Sequence, residues 1–328
     1  MEKHELFDKI LGAWTGKVAA GTFGQPVEGK TKLYIQKLYP PLAGWTTHHL
    51  DKITLPNDDE QFELLVLLAL EDLNDQDFTD RLHSNTLLEP DYLGPYWSKF
   101  LKENYIFTAE KYAYEFVEKH KLPWKHAGDD LYINPENNKA YGNPFFDWIG
   151  AQMKGEICGM LCPAWNWYSK RESSPKEDLE ILKPCLDLSL QDALIAHRGV
   201  AIIGELFVSA MIAVAIIHDP LNYKETMTYP GFANDLNKAG EESQNEEIEQ
   251  IGICSERIIS DIKRIKAALH EYDKVEQEDV DLYFSYIEPV ISHYEEDSNP
   301  AMWEKPWEEC MVQWYYYGEN MIKNAIEK

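Results

Sequence analysis

The sequence predicts an all-α fold, and three features carry that expectation. Apolar residues recur at three- and four-residue spacing over 5–23, 60–73, 106–119, 144–161, 199–217, 245–270, 279–294 and 301–327, the period of one helix face. Alternating runs of strand length are scarce. A stretch apolar all round, "VAIIGELFVSAMIAVAII" at 200–217, is what the centre of a large helical domain requires.

The elements have local rationales, taken in order. The first helix is rich in small residues, with Gly or Ala at 12, 13, 16, 19, 20 and 21, so a neighbour can pack closely. It runs into a Gly/Pro turn that presents Glu28. The second follows Asn57, a good N-cap, and opens on three consecutive acids, Asp58, Asp59 and Glu60. The 144–161 helix carries Gly150, Gly155 and Gly159, which cost helix stability and point to close approach by a neighbour or a ligand. Residues 200–217 have about the minimum length of a membrane span, but they contain Glu205 and Ser209 and lack a Lys/Arg asymmetry in their flanks. A buried core helix is the expectation there. The acid-rich 241–298 region, including Asp279 and Asp281, reads as a charged, solvated helical face.

Connectors lie at 24–31, 39–57, 121–143 and 219–234. The insert "HAGDDLYINPENNKAYGNP" is long for a loop inside a compact domain, a setting where function often resides. No internal repeat or low-complexity linker divides the chain, so one domain over 1–328 is expected, with a C-terminal part from about 271 that is divergent or truncated.

Composition narrows the function. With 44% hydrophobic and 27% charged residues, the 328-residue chain is globular in type. A net charge of -26 leaves nothing to neutralise a row of phosphates, which excludes a duplex nucleic-acid surface. An anionic small ligand needs local positive charge from a metal ion or a helix N-terminus. The five cysteines (158, 162, 185, 254, 310) form no CxxC pair, and the first nine residues are too polar for a signal peptide. Reduced thiols in a cytoplasm are expected. Cys158 and Cys162 are one helical turn apart, but the sequence shows no further ligand placed to complete a soft-metal site.

The chemistry turns on "NDDE", residues 57–60. Acids in a first turn complement the helix dipole, which is one explanation. Adjacent carboxylates also hold hard divalent cations such as Mg²⁺. Elsewhere, His197 stands just before the 199–217 helix, where the dipole favours its neutral form and a structural hydrogen-bonding role is the commoner one.

Four stretches taken together resemble the ADP-ribosylglycohydrolase family. They are "GTFGQPVEG", "NDDE", "NPFFDWIGAQMKGEICG" and "SLQDALIAHRG", in that order. The third looks very similar to an NPxx(D/E)WIGAQ motif of one bacterial branch. The resemblance spans about residues 5–270 and implies a compact orthogonal multi-helix bundle with a two-metal, usually Mg²⁺, centre. It also implies Asn57, Asp58 and Asp59 as metal ligands, and Glu28 and Asp59 as the carboxylates acting at the scissile ribose. His197 would line the ADP-ribose pocket, with Gly155 and Gly159 approaching the diphosphate. The implied partners are an ADP-ribosylated protein or a small ADP-ribose conjugate. The implied reaction, cleavage at the anomeric carbon of ribose, passes through an oxocarbenium-like state.

The sequence departs from the family in three places. Thr22 stands where the family has Asp, and Glu60 where it has Thr. The Asp-x-Asp of the C-terminal third, Asp279-Val280-Asp281, lacks the glycine and the following Thr or Cys of the family's second metal motif. The two-metal set is therefore expected to be incomplete in this chain, with a complementing chain or a homo-oligomer as ways to complete it. Two rival readings follow. One is a pocket that binds ADP-ribose without turnover. The other is a class I terpene-cyclase-like enzyme, which "DDEQFE" and "NDLNKAGEE" resemble in part.

Overall fold

The computed structural model describes residues 3–24, 58–103, 106–167, 170, 172–217 and 258–296. Glu28, Asn57, the 301–327 helix, Cys254, Cys310 and the 234–242 run lie outside the described residues.

The described chain is helical, as the periodicity predicts, with a single two-stranded ladder. Helix α1 is Lys3–Gly24 and α2 is Asp58–Glu71, which starts on the acid run. A surface helix, α3 (Asp75–Ser84), follows; the Asn74 side chain accepts from the backbone N–H of Gln76 and Asp77, and Asn85 ends it in the left-handed region at φ 56. Then come α4 (Pro90–Phe100) and α5 (Thr108–Glu118). Beyond a short ladder of Tyr132–Ile133 with Ala140–Tyr141 lie α6 (Glu156–Leu161), α7 (Pro175–Ala193) and α8 (Val200–Ile217). Residues 258–271 form α9, and Gln277–Glu296 form α10.

Three of these helices escape the periodicity. None of α3's residues is buried, so it has no apolar face to detect. Helices α4 and α7 each contain an internal proline, Pro95 and Pro184. Both also begin on proline at the first position, where no N–H is missed. Helix α7 carries a full capping box between Ser174 and Glu177.

The continuous helix expected over 144–161 is corrected. Residues 144–147 form turns, 149–154 wind as a 3-10 segment, and α-helix begins only at Glu156. Two local facts account for the break. Gly150 and Gly155 are poor helix formers. Each also lies against a side chain from another element, Glu110 for Gly150 and Glu205 for Gly155.

Helix α8 is the hub. It packs against α6, α7, the 149–154 segment and α10. Among the described residues it is the helix long and apolar enough to cross a bilayer. Its neighbours bury most of it, with Glu205 and Ser209 both turned inside, which is the placement expected of a core helix. One apolar cluster gathers α2, α4, α5 and α6 around Phe62, Trp97 and Trp124. A second gathers α7, α8, α9 and α10 around Trp167, Leu186 and Phe284. The long insert is anchored by buried Asn143, whose side-chain amide donates to Ala109 O at 2.8 Å and Ala196 O at 3.1 Å. That links α5 to the turn preceding α8.

Candidate functional site

The acid pair sits at the mouth of α2, half-buried rather than turned fully to water. Burial raises the Asp58 carboxyl above its ordinary range, while backbone N–H groups of Asp58 and Asp59 oppose the shift. Asp59 differs. Burial pushes it up to about 6, the Asp58 charge adds to this, and Lys17 opposes. A carboxyl held there, near neutral pH, is poised to exchange a proton.

Lys17, on the face of α1 that packs Ile10 and Trp14 against the core, reaches into the same region. Its Nζ lies 2.9 Å from Glu63 Oε2, donates to Met153 O at 3.0 Å and pairs with Glu156. Glu63 is one turn after Asp59 on α2, so the two share a face. Its other oxygen accepts the Ile157 N–H at 3.0 Å, fixing α6 against α2.

A second ionic group lies deeper. Lys154 is fully buried, and its Nζ bonds Asp192 Oδ2 at 2.7 Å, Asp192 O at 3.0 Å and Glu205 Oε2 at 3.2 Å. Burial alone would drive off its proton, but Asp192 and Glu205 hold the ammonium charged and raise its pKa. Glu205 moves well above the ordinary range, chiefly through burial. Glu110, on α5, is pushed by burial to about 7, with Asp58 and Asp192 adding to the rise and Lys154 opposing it. The charge on Asp58 thus reaches Glu110, and Glu110 connects the α2 mouth to the buried group.

His197 belongs to this inner layer. It is fully buried, its Nε2 is 3.4 Å from Glu110 Oε1, and burial holds it well below its usual pKa. The imidazole is neutral, as its place before a helix suggested. Gly155 and Gly159 face α8. A Cβ on Gly159 would meet the Ser209 carbonyl oxygen at 2.3 Å, and one on Gly155 the Glu205 Cγ at 2.7 Å. The close approach these glycines admit is made by a neighbouring helix. Ser209 Oγ also donates to Gly155 O at 2.6 Å.

Of the residues singled out in the sequence, the structure places Asp58 and Asp59 at one mouth, with His197 behind them through Glu110. Lys17, Glu63, Glu110, Lys154, Asp192 and Glu205 were not anticipated. Glu205 had a visible signal, since an acid inside an otherwise apolar helix needs an internal partner. Lys154 lies in the "NPFFDWIGAQMKGEICG" stretch, and Lys17 is one of three lysines on α1. Asp192 stands in the "SLQDALIAHRG" stretch, whereas Glu110 had no local mark.

Asp279, at the start of α10, lies against the turn at Gly199, about which a methyl would be 3.7 Å from its Oδ1. Asp281 is exposed and pairs with His270. Among the described residues, no three His, Cys, Asp or Glu side chains gather as a metal-ligand set.

The ADP-ribosylglycohydrolase family model matches residues 2–290. The chain belongs to the ADP-ribosylglycohydrolase family. No curated protein and no solved structure matches it. Membership supports a glycohydrolase-type enzyme acting on ADP-ribosylated substrates in general. It also answers the cyclase-like reading of "DDEQFE", whose last acid, Glu63, is here the partner of Lys17. For an ADP-ribosylglycohydrolase the donor set can then be tested against the implied metal. Asp58 and Asp59 supply hard oxygen donors, and Mg²⁺ is commonly bound through one or two carboxylates while keeping several waters. The described residues fit one such ion and not a pair.

Proposed function

We propose that this chain hydrolyses the glycosidic bond of an ADP-ribosyl group with the help of Mg²⁺ held by Asp58 and Asp59, and by Asn57 beside them. The observation that supports this most is the acid pair at the α2 mouth, two adjacent half-buried carboxyls both raised by burial, Asp59 to about 6. A bound Mg²⁺ supplies Lewis-acid polarisation and local positive charge for an anionic ligand. The chain's own groups do the rest. Asp59 and Glu28 are the carboxylates assigned to the proton of the attacking water. His197, neutral and held beside Glu110, is assigned to the inner wall of the ADP-ribose pocket. The substrate class is an ADP-ribosylated protein or a small ADP-ribose conjugate. The free thiols of Cys158, Cys162 and Cys185 support a reducing, cytoplasmic setting.

A second reading, ADP-ribose binding without turnover, is favoured by one observation, the lack of a third ligand beside Asp58 and Asp59 among the described residues. The experiment is to incubate the purified chain with an ADP-ribosylated protein, with and without Mg²⁺. Mg²⁺-dependent release of free ADP-ribose supports hydrolysis. Binding of ADP-ribose without release supports the binding protein. Turnover of an isoprenoid diphosphate, with neither, would overturn both.

A further inference from the structure

The shell around the Lys17 ammonium is made of oxygen. Its partners are the Glu63 carboxylate at 2.9 Å, the Glu156 carboxylate and the Met153 carbonyl oxygen at 3.0 Å. Two carboxylates and a backbone carbonyl are the donors that hard divalent cations take. The Glu63 side chain is 0% exposed and that of Lys17 only 11%, so neither is a loose surface group. The shell comes from α2, α6 and the 149–154 segment, whereas the cation comes from a fourth element, α1. Glu63 stands one turn after Asp59 on α2, so the shell shares a helix face with the acid pair.

We propose that Lys17 is a tethered cation occupying the place of a second divalent ion, so that this chain takes one ion at Asp58 and Asp59 and none beside it. A two-metal centre sets two positive charges among carboxylates. Here one of them is carried on a side chain that cannot dissociate. The claim deepens the metal reading above, but its decisive measurement is a difference between variants and does not depend on that reading.

The probe is Mn²⁺, a hard six-coordinate stand-in for Mg²⁺, titrated into the metal-free full-length chain. Bound ion is counted by the loss of the free Mn²⁺ paramagnetic resonance signal. Ionic strength is kept near physiological, about 0.15 M, to screen the acidic surface. Lys17→Met, of similar length and no charge, is expected to bind one more Mn²⁺ per chain than the wild type. Adding Glu63→Gln is expected to remove that extra ion. If Lys17→Met loses its circular-dichroism helix signal, Lys17→Gln, which keeps a hydrogen-bond donor, replaces it. A folded Lys17 variant that binds no more ion than the wild type overturns the proposal, as does a wild type that binds two. A wild type that binds none, with a Lys17 variant that gains one, upholds the Lys17 assignment and overturns the metal reading of Asp58 and Asp59.

Discussion

His197 Nε2 lies 3.4 Å from Glu110 Oε1, inside the protein and with both side chains fully buried. Gly150 makes the arrangement sterically possible, because a Cβ there would be 2.4 Å from the same oxygen. Among the described residues, neither nitrogen of the ring nor Glu110 Oε1 has a hydrogen-bond partner, so the two groups face each other without a formed hydrogen bond. A neutral imidazole against a carboxyl near neutrality can share one proton, and cannot hold two charges at low cost.

That relationship predicts a pH dependence of stability. Glu110 titrates at 4.5 when free and about 7 in the fold, raised chiefly by burial. Between those values the folded chain keeps a proton that the unfolded chain has lost, so stability falls as pH rises through that window and levels off above it. Glu110→Gln removes the titration. Relative to wild type it is expected to gain on the order of 3 kcal/mol between about pH 5 and about pH 8. Urea denaturation of both proteins at the two pH values measures it, and a constant difference would show that Glu110 does not titrate in this range.

The buried Lys154 group predicts a large loss. Lys154→Met leaves Asp192 and Glu205 buried without their counter-charge. Breaking such a group from one side costs about 3–5 kcal/mol. A fall of that size in unfolding free energy is expected, with Glu205→Gln milder because it leaves Lys154 paired with Asp192 at 2.7 Å. Equal effects from the two substitutions would contradict the assigned charges.

Gly159 separates packing from ligand approach. In Gly159→Ala the new methyl meets a backbone carbonyl of α8, which no side-chain rotation can clear. Overpacking of this kind costs about 1–3 kcal/mol. Thermal denaturation is expected to drop accordingly, with ADP-ribose affinity of the folded fraction changed little. Weakened ADP-ribose binding at unchanged stability would instead place the diphosphate against this glycine.

The acid pair predicts loss of ligand without loss of fold. Asp58→Ala and Asp59→Ala are each expected to weaken Mg²⁺-dependent ADP-ribose binding by on the order of a hundredfold, since even groups that only support a ligand matter at the tenfold level. Calorimetric titration with and without Mg²⁺ gives the affinity, and far-ultraviolet circular dichroism checks the helices. Unchanged affinity in both variants would return the pair to helix capping.

Much of the fold was legible because helix information is local. The start of α2 at its acids, the length of α8 and the inward turn of Glu205 follow from residues within a few turns of one another. Helices α4 and α7 were hidden by internal prolines, although the capping box at Ser174 was readable in principle. The acid pair and His197 were readable as residues but not as neighbours.

What the sequence by itself determined was the helical class, the core helix, the family resemblance and the candidate acids, each written in spacing or in short motifs. What only the tertiary structure decided was which charges meet. Lys17 and Glu156 are 139 positions apart, and Lys154 and Asp192 are 38 apart. Burial and Coulomb attraction act through space, so the raised Asp59 and Glu110 carboxyls, the neutral His197 and the lysine among carboxylates have no counterpart in local pattern. They exist because packing around α8 brings distant side chains into a common, poorly solvated interior.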